Sequence, residues 1–269
     1  MEVLPHARAS RQAERLRVRV YTDRATMGVA AGAAVAAALR ARLAGQANVR
    51  MIFAAAPSQA EMLATLRRAP GIDWARVTAF HMDEYLDLAV DVPQRFGCFL
   101  REHLFAHVGP GTIHYLAPGR IASADDPAAV AECDRYAALV RSAPIDIVCL
   151  GIGENGHLAF NDPPVADFAD PATVKPVELD DICRQQQVHD GCFATLDAVP
   201  RRAVTLTIPA LMAGAQLFCV VPGPAKRAAI RRTLTGPIAA SCPASILRQH
   251  PDCTLYTDLD GYPAAADAR

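Results

Sequence analysis

Short apolar runs of strand length return again and again along this chain, each followed by a stretch long enough for a helix. The runs are Leu16 to Val20, which alternates apolar and basic residues, Val49 to Ala55, Val77 to His81, Ile145 to Leu150, Gln216 to Val221 and Cys253 to Thr257. Between them fall an alanine-rich helix from Ala25 to Leu39 capped by Asp23 and a helix running to Arg68 with Met62, Leu63 and Leu66 on one face. Further segments of helical character cover about Gln94 to His107 and Asp126 to Val140, with a short strand from Thr112 to Tyr115. Strands that alternate with helices must be joined by crossovers, which makes the sheet mainly parallel and covers both of its faces. The prediction is an α/β fold of three layers.

No Pro/Ser/Gly-rich linker or shift in composition divides the 269 residues, so residues 16–262 are expected to form one domain. Residues 1–15, with Pro5, Arg8 and Arg11, show no periodicity and are expected to form a loose arm. At 52% hydrophobic and 20% charged the chain has ample material for a core. A formal net charge of -1 without a polybasic run argues against a nucleic-acid surface and points to a small-molecule partner. Ala25 to Leu39 is apolar enough to be mistaken for a membrane span but is short and flanked by Arg24 and Arg40, so no membrane partner is expected. Eight cysteines are scattered with no C-x-x-C pair. They predict neither a metal site nor a disulfide framework and suit a reducing, cytoplasmic setting.

The chemistry concentrates at two strand ends. Ile145 to Leu150 breaks directly into Gly151-Ile152-Gly153-Glu154-Asn155-Gly156-His157-Leu158-Ala159-Phe160-Asn161-Asp162-Pro163, and Val77 to Phe80 ends in His81-Met82-Asp83-Glu84-Tyr85. A buried strand that opens into glycines beside a histidine, an amide and carboxylates is how an α/β enzyme presents acid–base groups at the carboxyl end of its sheet. The structural alternatives are ordinary: Asp83 as a helix cap or loop carboxylate, Asp162 as an Asx-type turn before Pro163-Pro164, and Lys226 as a solvated lysine.

Those two motifs, together with Val220-Val221-Pro222-Gly223-Pro224-Ala225-Lys226, resemble the glucosamine-6-phosphate deaminase (isomerase) family in order and spacing from about Val18 to Asp258. The resemblance implies a Rossmann-like α/β fold and conversion of glucosamine 6-phosphate and water to fructose 6-phosphate and ammonia, with no metal or organic cofactor in the chemical step. It implies Asp83 as the C2 proton acceptor and His157 as the ring-opening acid–base. Where the best-known relatives hold an Asp and a Glu, this chain has Asn155, which can orient but not take a proton, and Asp162, one methylene shorter. Lys226 matches the phosphate lysine, and Gly153 falls in the substrate loop. The phosphate turn corresponds to Ala56-Pro57-Ser58-Gln59-Ala60, which has no glycine, so the Ser58 hydroxyl and neighbouring amides, with Gln59 beside them, would do its work. The second basic partner has no secure match, and Arg184 is the nearest arginine. Pro164-Val165-Ala166-Asp167 offers no counterpart to the relatives' allosteric residues. A homo-oligomer stays open, and Phe168 to Gln187 reads as a lid over the pocket.

Three other readings stand beside this one. An isomerase or deaminase for another amino-sugar phosphate fits the departures at Ser58, Gln59 and Asp162. A 6-phosphogluconolactonase shares the glycine turn, but such enzymes carry Arg where this chain has Tyr85 and lack the Phe160-Asn161-acid run. A non-catalytic sugar-phosphate sensor of the regulator type would carry a helix-turn-helix segment, for which no spare stretch is evident.

Overall fold

The computed structural model describes residues 4–86, 88–89, 91–117 and 126–263. Its strands are β1 (Ala9–Ala13), β2 (Leu16–Tyr21), β3 (Val49–Phe53), β4 (Val77–His81), β5 (Asp83–Tyr85), β6 (Thr112–His114), β7 (Ile147–Leu150), β8 (Val174–Glu178), β9 (Arg202–Leu206), β10 (Gln216–Val221) and β11 (Cys253–Asp258). The helices are α1 (Arg24–Gly45), α2 (Ala60–Arg68), α3 (Phe96–Leu100), α4 (Ala106–Val108), α5 (Pro127–Arg141), α6 (Asp181–His189), α7 (Ile208–Met212) and α8 (Arg227–Thr235), with a π-helical turn joining α3 to α4.

Eight strands form one sheet in the order β1-β2-β11-β10-β7-β3-β4-β6, parallel throughout except for the β1–β2 pair. The apolar runs alternate between two cores, one on each face. Ile52, Val148, Leu150, Leu217, Cys219 and Leu255 point into one of them. Met51, Phe53, Ile147, Cys149, Phe218 and Val220 point into the other. Helix α1 lies on the second face, where Met27, Ala31, Val35 and Leu39 are buried. It is long and apolar enough to cross a membrane, and its composition follows from close packing: a methyl at Gly28 would sit 2.2 Å from Glu61 Cβ and one at Gly32 2.6 Å from Thr65 Cβ, both on α2. Asp23 caps α1 as expected, accepting from the Thr26 N–H at 2.8 Å while Thr26 reaches back.

A smaller antiparallel sheet, β5-β9-β8, stands at the carboxyl end of the large one. Its first strand is short and polar, and nothing in the apolar periodicity of the chain announces it.

The N-terminal expectation needs correction. Ala9–Ala13 is not part of a loose arm: it pairs antiparallel with β2 from Ala9↔Val20 to Ala13↔Leu16, through a tight turn in which Glu14 takes φ +51°. The strand is an exposed edge, so backbone hydrogen bonds hold it and apolar patterning does not reveal it. The stretch from Phe168 to Gln187 contains strand β8 and most of helix α6.

Candidate active site

Successive strands diverge at the centre of the large sheet: β3 leads outward to β4, and β7 leads the other way to β10. Ligands in open α/β sheets bind in the crevice such a reversal leaves at the carboxyl ends. A cavity lies there, lined by the turns after β3 (Ser58, Gln59), β7 (Gly153, His157) and β10 (Lys226), by Asp83 of β5 and by Gln187 of α6.

Asp83 and Glu84 are neighbours with opposite fates, because successive residues of β5 face opposite sides. Glu84 is fully committed. Its Oε1 accepts from the N–H groups of Tyr85 (2.9 Å) and Phe96 (3.2 Å), its Oε2 from Gly97 (3.1 Å), and the Arg95 guanidinium lies 3.5 Å away. Asp83 is 6% exposed, lines the cavity, and has no side-chain partner among the described residues. Burial, then the charge of Glu84, raises its pKa well above the usual carboxylate value. An unpaired carboxyl with strengthened basicity is what proton abstraction calls for.

The backbone of Asp83 is held by a buried histidine. His81 Nδ1 lies 2.9 Å from the Asp83 carbonyl, and His81 Nε2 accepts from the Leu116 N–H at 2.8 Å. The carbonyl can only accept, so the proton resides on Nδ1 and the ring is neutral. Burial lowers its pKa to about 4. The Tyr136 hydroxyl donates to the His81 carbonyl (2.8 Å) and accepts from its N–H (2.9 Å), completing the clamp at the end of β4.

His157 is set from below. Its Nδ1 lies 2.9 Å from Asp162 Oδ1. Asp162 in turn accepts from Asn155 Nδ2 (2.8 Å) and the Asp180 N–H (3.1 Å), while Asn155 Oδ1 accepts from the His157 N–H (3.0 Å). Burial raises the Asp162 pKa, but the bonds from His157, Asn155 and Asp180 outweigh it and hold the carboxyl below its usual range. An anionic partner at Nδ1 leaves Nε2 as the atom that trades protons. The loop is shaped for this ring. A methyl at Gly153 would lie 2.1 to 2.3 Å from three imidazole atoms, and Gly156, at φ +93°, would drive one to 2.8 Å from Cys242 Sγ. Ala159 also takes a left-handed conformation at φ +51°, a strain of about 1–2 kcal/mol. Bonds from Asn161 Nδ2 to the carbonyls of Leu158 and Leu206 (both 2.8 Å), and from the Phe160 N–H to Thr205 Oγ1 (3.1 Å), maintain it.

Lys226 is 5% exposed, and its Nζ has no hydrogen-bond partner among the described residues. Burial lowers its pKa, against the acidic groups of Asp190 and Glu154. The turn before it is fixed by Asp258, which accepts from the N–H groups of Gly223 (3.0 Å) and Gly261 (2.7 Å). An orphaned ammonium at a cavity wall marks the place of an anion.

Among the sequence candidates, Asp83, His157, Gly153, Ser58, Gln59 and Lys226 all line the cavity. Asn155 and Asp162 do not; both lie behind His157, Asn155 accepting from its N–H and donating to Asp162, which faces its Nδ1. Arg184 is a correction. Its side chain is buried away from the cavity, bonding Asp181 (2.8 Å) and the carbonyls of Leu196 (2.7 Å) and Val199 (3.2 Å). Gln186 and Gln187, not named as site residues from the sequence, line the cavity from α6, and His81, quoted there only within its motif, holds the Asp83 carbonyl. Buried Cys183, Gln186 and Gln187 share one helical face, a 3-and-4 spacing filled with amides where apolar side chains would be ordinary.

His157, Asp162 and Cys183 place their ligand atoms within 4.8 Å of one another. Asp162 already faces the N–H dipoles of Asn155 and Asp180, whose positive ends oppose a cation, so the group reads as a hydrogen-bonded support. All eight cysteines are free thiols.

The sequence profile of the glucosamine-6-phosphate isomerases/6-phosphogluconolactonase family matches residues 22–256. The chain belongs to this family. The glucosamine-6-phosphate deaminases of Bacillus thuringiensis (strain Al Hakam) and Bacillus anthracis (strain A0248) are each 32% identical to it over 197 residues, 73% of this chain and 71% of theirs. A solved monomeric glucosamine-6-phosphate deaminase superposes with a TM-score of 0.80 at 26% identity, covering 91% of this chain and 98% of its own. A 6-phosphogluconolactonase from Thermotoga maritima gives 0.70 at 18% identity, covering 90% and 98%, a likeness of fold.

Proposed function

We propose that this protein is a glucosamine-6-phosphate deaminase, converting glucosamine 6-phosphate and water to fructose 6-phosphate and ammonia. The observation that carries the reading is the pairing, in one cavity, of an unpartnered carboxyl (Asp83) with a carboxylate-backed imidazole (His157) beside an unpaired ammonium (Lys226). The deaminase relatives add the substrate.

In this reading Lys226 receives the phosphate. His157 Nε2 removes the anomeric hydroxyl proton and protonates the ring oxygen, opening the sugar to its aldehyde, while Asp162 stabilises the imidazolium in transit. Asp83 takes the C2 proton while the C2 ammonium passes one to the aldehyde oxygen, giving an enol with a neutral amine on C2, and Asp83 returns its proton to C1. The resulting C2 iminium adds water and expels ammonia, leaving the ketone. Lactone hydrolysis needs no base at a carbon acid, so the C2 proton transfer given to Asp83 belongs to the deaminase chemistry alone. The test is ammonia release coupled to fructose 6-phosphate detection. Wild type turns over, whereas Asp83→Asn and His157→Gln do not. A wild type that hydrolyses 6-phosphogluconolactone but releases no ammonia refutes the reading.

A further inference from the structure

The turn after β3 holds a buried acceptor that no donor among the described residues satisfies. Gln59 is fully buried; its Nε2 donates to the Val220 carbonyl at 3.1 Å and lies 3.1 Å from Ser58 Oγ. A carbonyl can only accept, so the nitrogen must be the atom facing Val220, and the orientation of the amide is settled. Room for the amide comes from Gly151, where a methyl would lie 3.1 Å from that same nitrogen. Gln59 Oε1 is then left buried with no hydrogen-bond partner among the described residues, on a side chain that lines the cavity.

Besides His157 Nδ1, which lies against Asp162, two unpartnered polar atoms belong to side chains lining this cavity, and they want opposite things. Lys226 Nζ needs an acceptor or an anion, and Gln59 Oε1 needs a donor. A phosphate dianion presents acceptors only: it satisfies Lys226 and repels an amide oxygen. We propose that Gln59 is a specificity-determining residue that accepts a hydrogen bond from a hydroxyl of the sugar's carbon chain and takes no part in holding phosphate. The assignment rests on the sugar-phosphate reading for its substrate class and changes the role of the turn, from phosphate cradle to hydroxyl reader.

The experiment is calorimetric binding to the full chain, which needs no turnover, with glucitol 6-phosphate and inorganic phosphate as probes. Gln59→Met keeps the side-chain length and removes the acceptor. It is expected to weaken glucitol 6-phosphate roughly tenfold and leave inorganic phosphate within about twofold. Equal loss for both probes, no loss for either, or a wild type that does not bind glucitol 6-phosphate overturns the proposal. A second measurement uses wild type alone and so survives a variant that does not fold. Among monodeoxy glucitol 6-phosphates one is expected to bind about tenfold more weakly than the parent, and uniform affinity across the series refutes the assignment. Ammonia release by wild type from glucosamine 6-phosphate is run in parallel. Its failure strikes the deaminase reading, whereas failure of the binding pattern in a working deaminase strikes the role of Gln59.

Discussion

Gly153→Ala adds one methyl to the protein and places it against the His157 imidazole. The added carbon would lie 2.1 Å from Cε1 and 2.3 Å from both Nδ1 and Nε2 of His157, where non-bonded carbon contacts sit at about 3.5–4.0 Å. The ring must retreat by more than about 1 Å to restore that contact. Retreat stretches the 2.9 Å approach of Nδ1 to Asp162 past hydrogen-bond length and moves Nε2 off the substrate oxygen by a similar amount. Misplacing a catalytic group by about 1 Å costs on the order of 100-fold in rate, near 2.7 kcal/mol of transition-state stabilisation. Steady-state ammonia release should show kcat/KM falling by that factor. Inorganic phosphate affinity should hold, since Lys226 sits on the separate turn after β10. A kcat/KM within about threefold of wild type, on the same rate scale, would show that His157 does not act from the position described.

Other outcomes follow from the same geometry. Asp83→Asn removes the base while preserving shape and should abolish deamination without weakening polyol-phosphate binding; the acid limb of the wild-type pH profile should lie above the ordinary Asp value of about 3.9, because burial raises this carboxyl. Asp162→Asn forces an amide N–H against the donors of His157, Asn155 or Asp180, and losing a charged hydrogen bond of about 1.5–3 kcal/mol should slow kcat roughly 10- to 150-fold. Asp162's folded pKa is lowered, so its contribution to stability is present above about pH 3.9 and lost as pH falls through the folded value. Urea midpoints of wild type and Asp162→Asn should accordingly differ at pH 7 and converge in acid. Lys226→Met exchanges a buried, unpaired ammonium for an apolar chain of similar volume, and should raise Tm while abolishing phosphate binding, which calorimetry and thermal melts read together.

The parallel core was legible because its strands are buried on both faces and so stand out as apolar runs; β3, β4, β7, β10 and β11 fall close to where the runs predict them. What escaped was built from other forces. β1 is an exposed edge held by its ladder to β2, and β5 is three polar residues whose partners lie more than a hundred positions away on β9. Helix α6 turns amides inward, so the 3.6-residue pattern was present but written in Gln instead of Leu. Asp83, His157 and Lys226, picked out by residue type, come together at one cavity. Residue type misled at Arg184, because a charge near the right place in sequence says nothing of the direction in which its guanidinium points.

The small sheet assigns a task to the carboxylate that does no chemistry. A three-residue strand specifies its register weakly, and a slip by one position would turn Glu84 toward the cavity and Asp83 away from it. Glu84's bonds to the N–H groups of Tyr85, Phe96 and Gly97, with Arg95 alongside, can be made in only one of those two alignments. Side by side in the chain, one carboxylate faces the cavity and the other is the latch that holds it there.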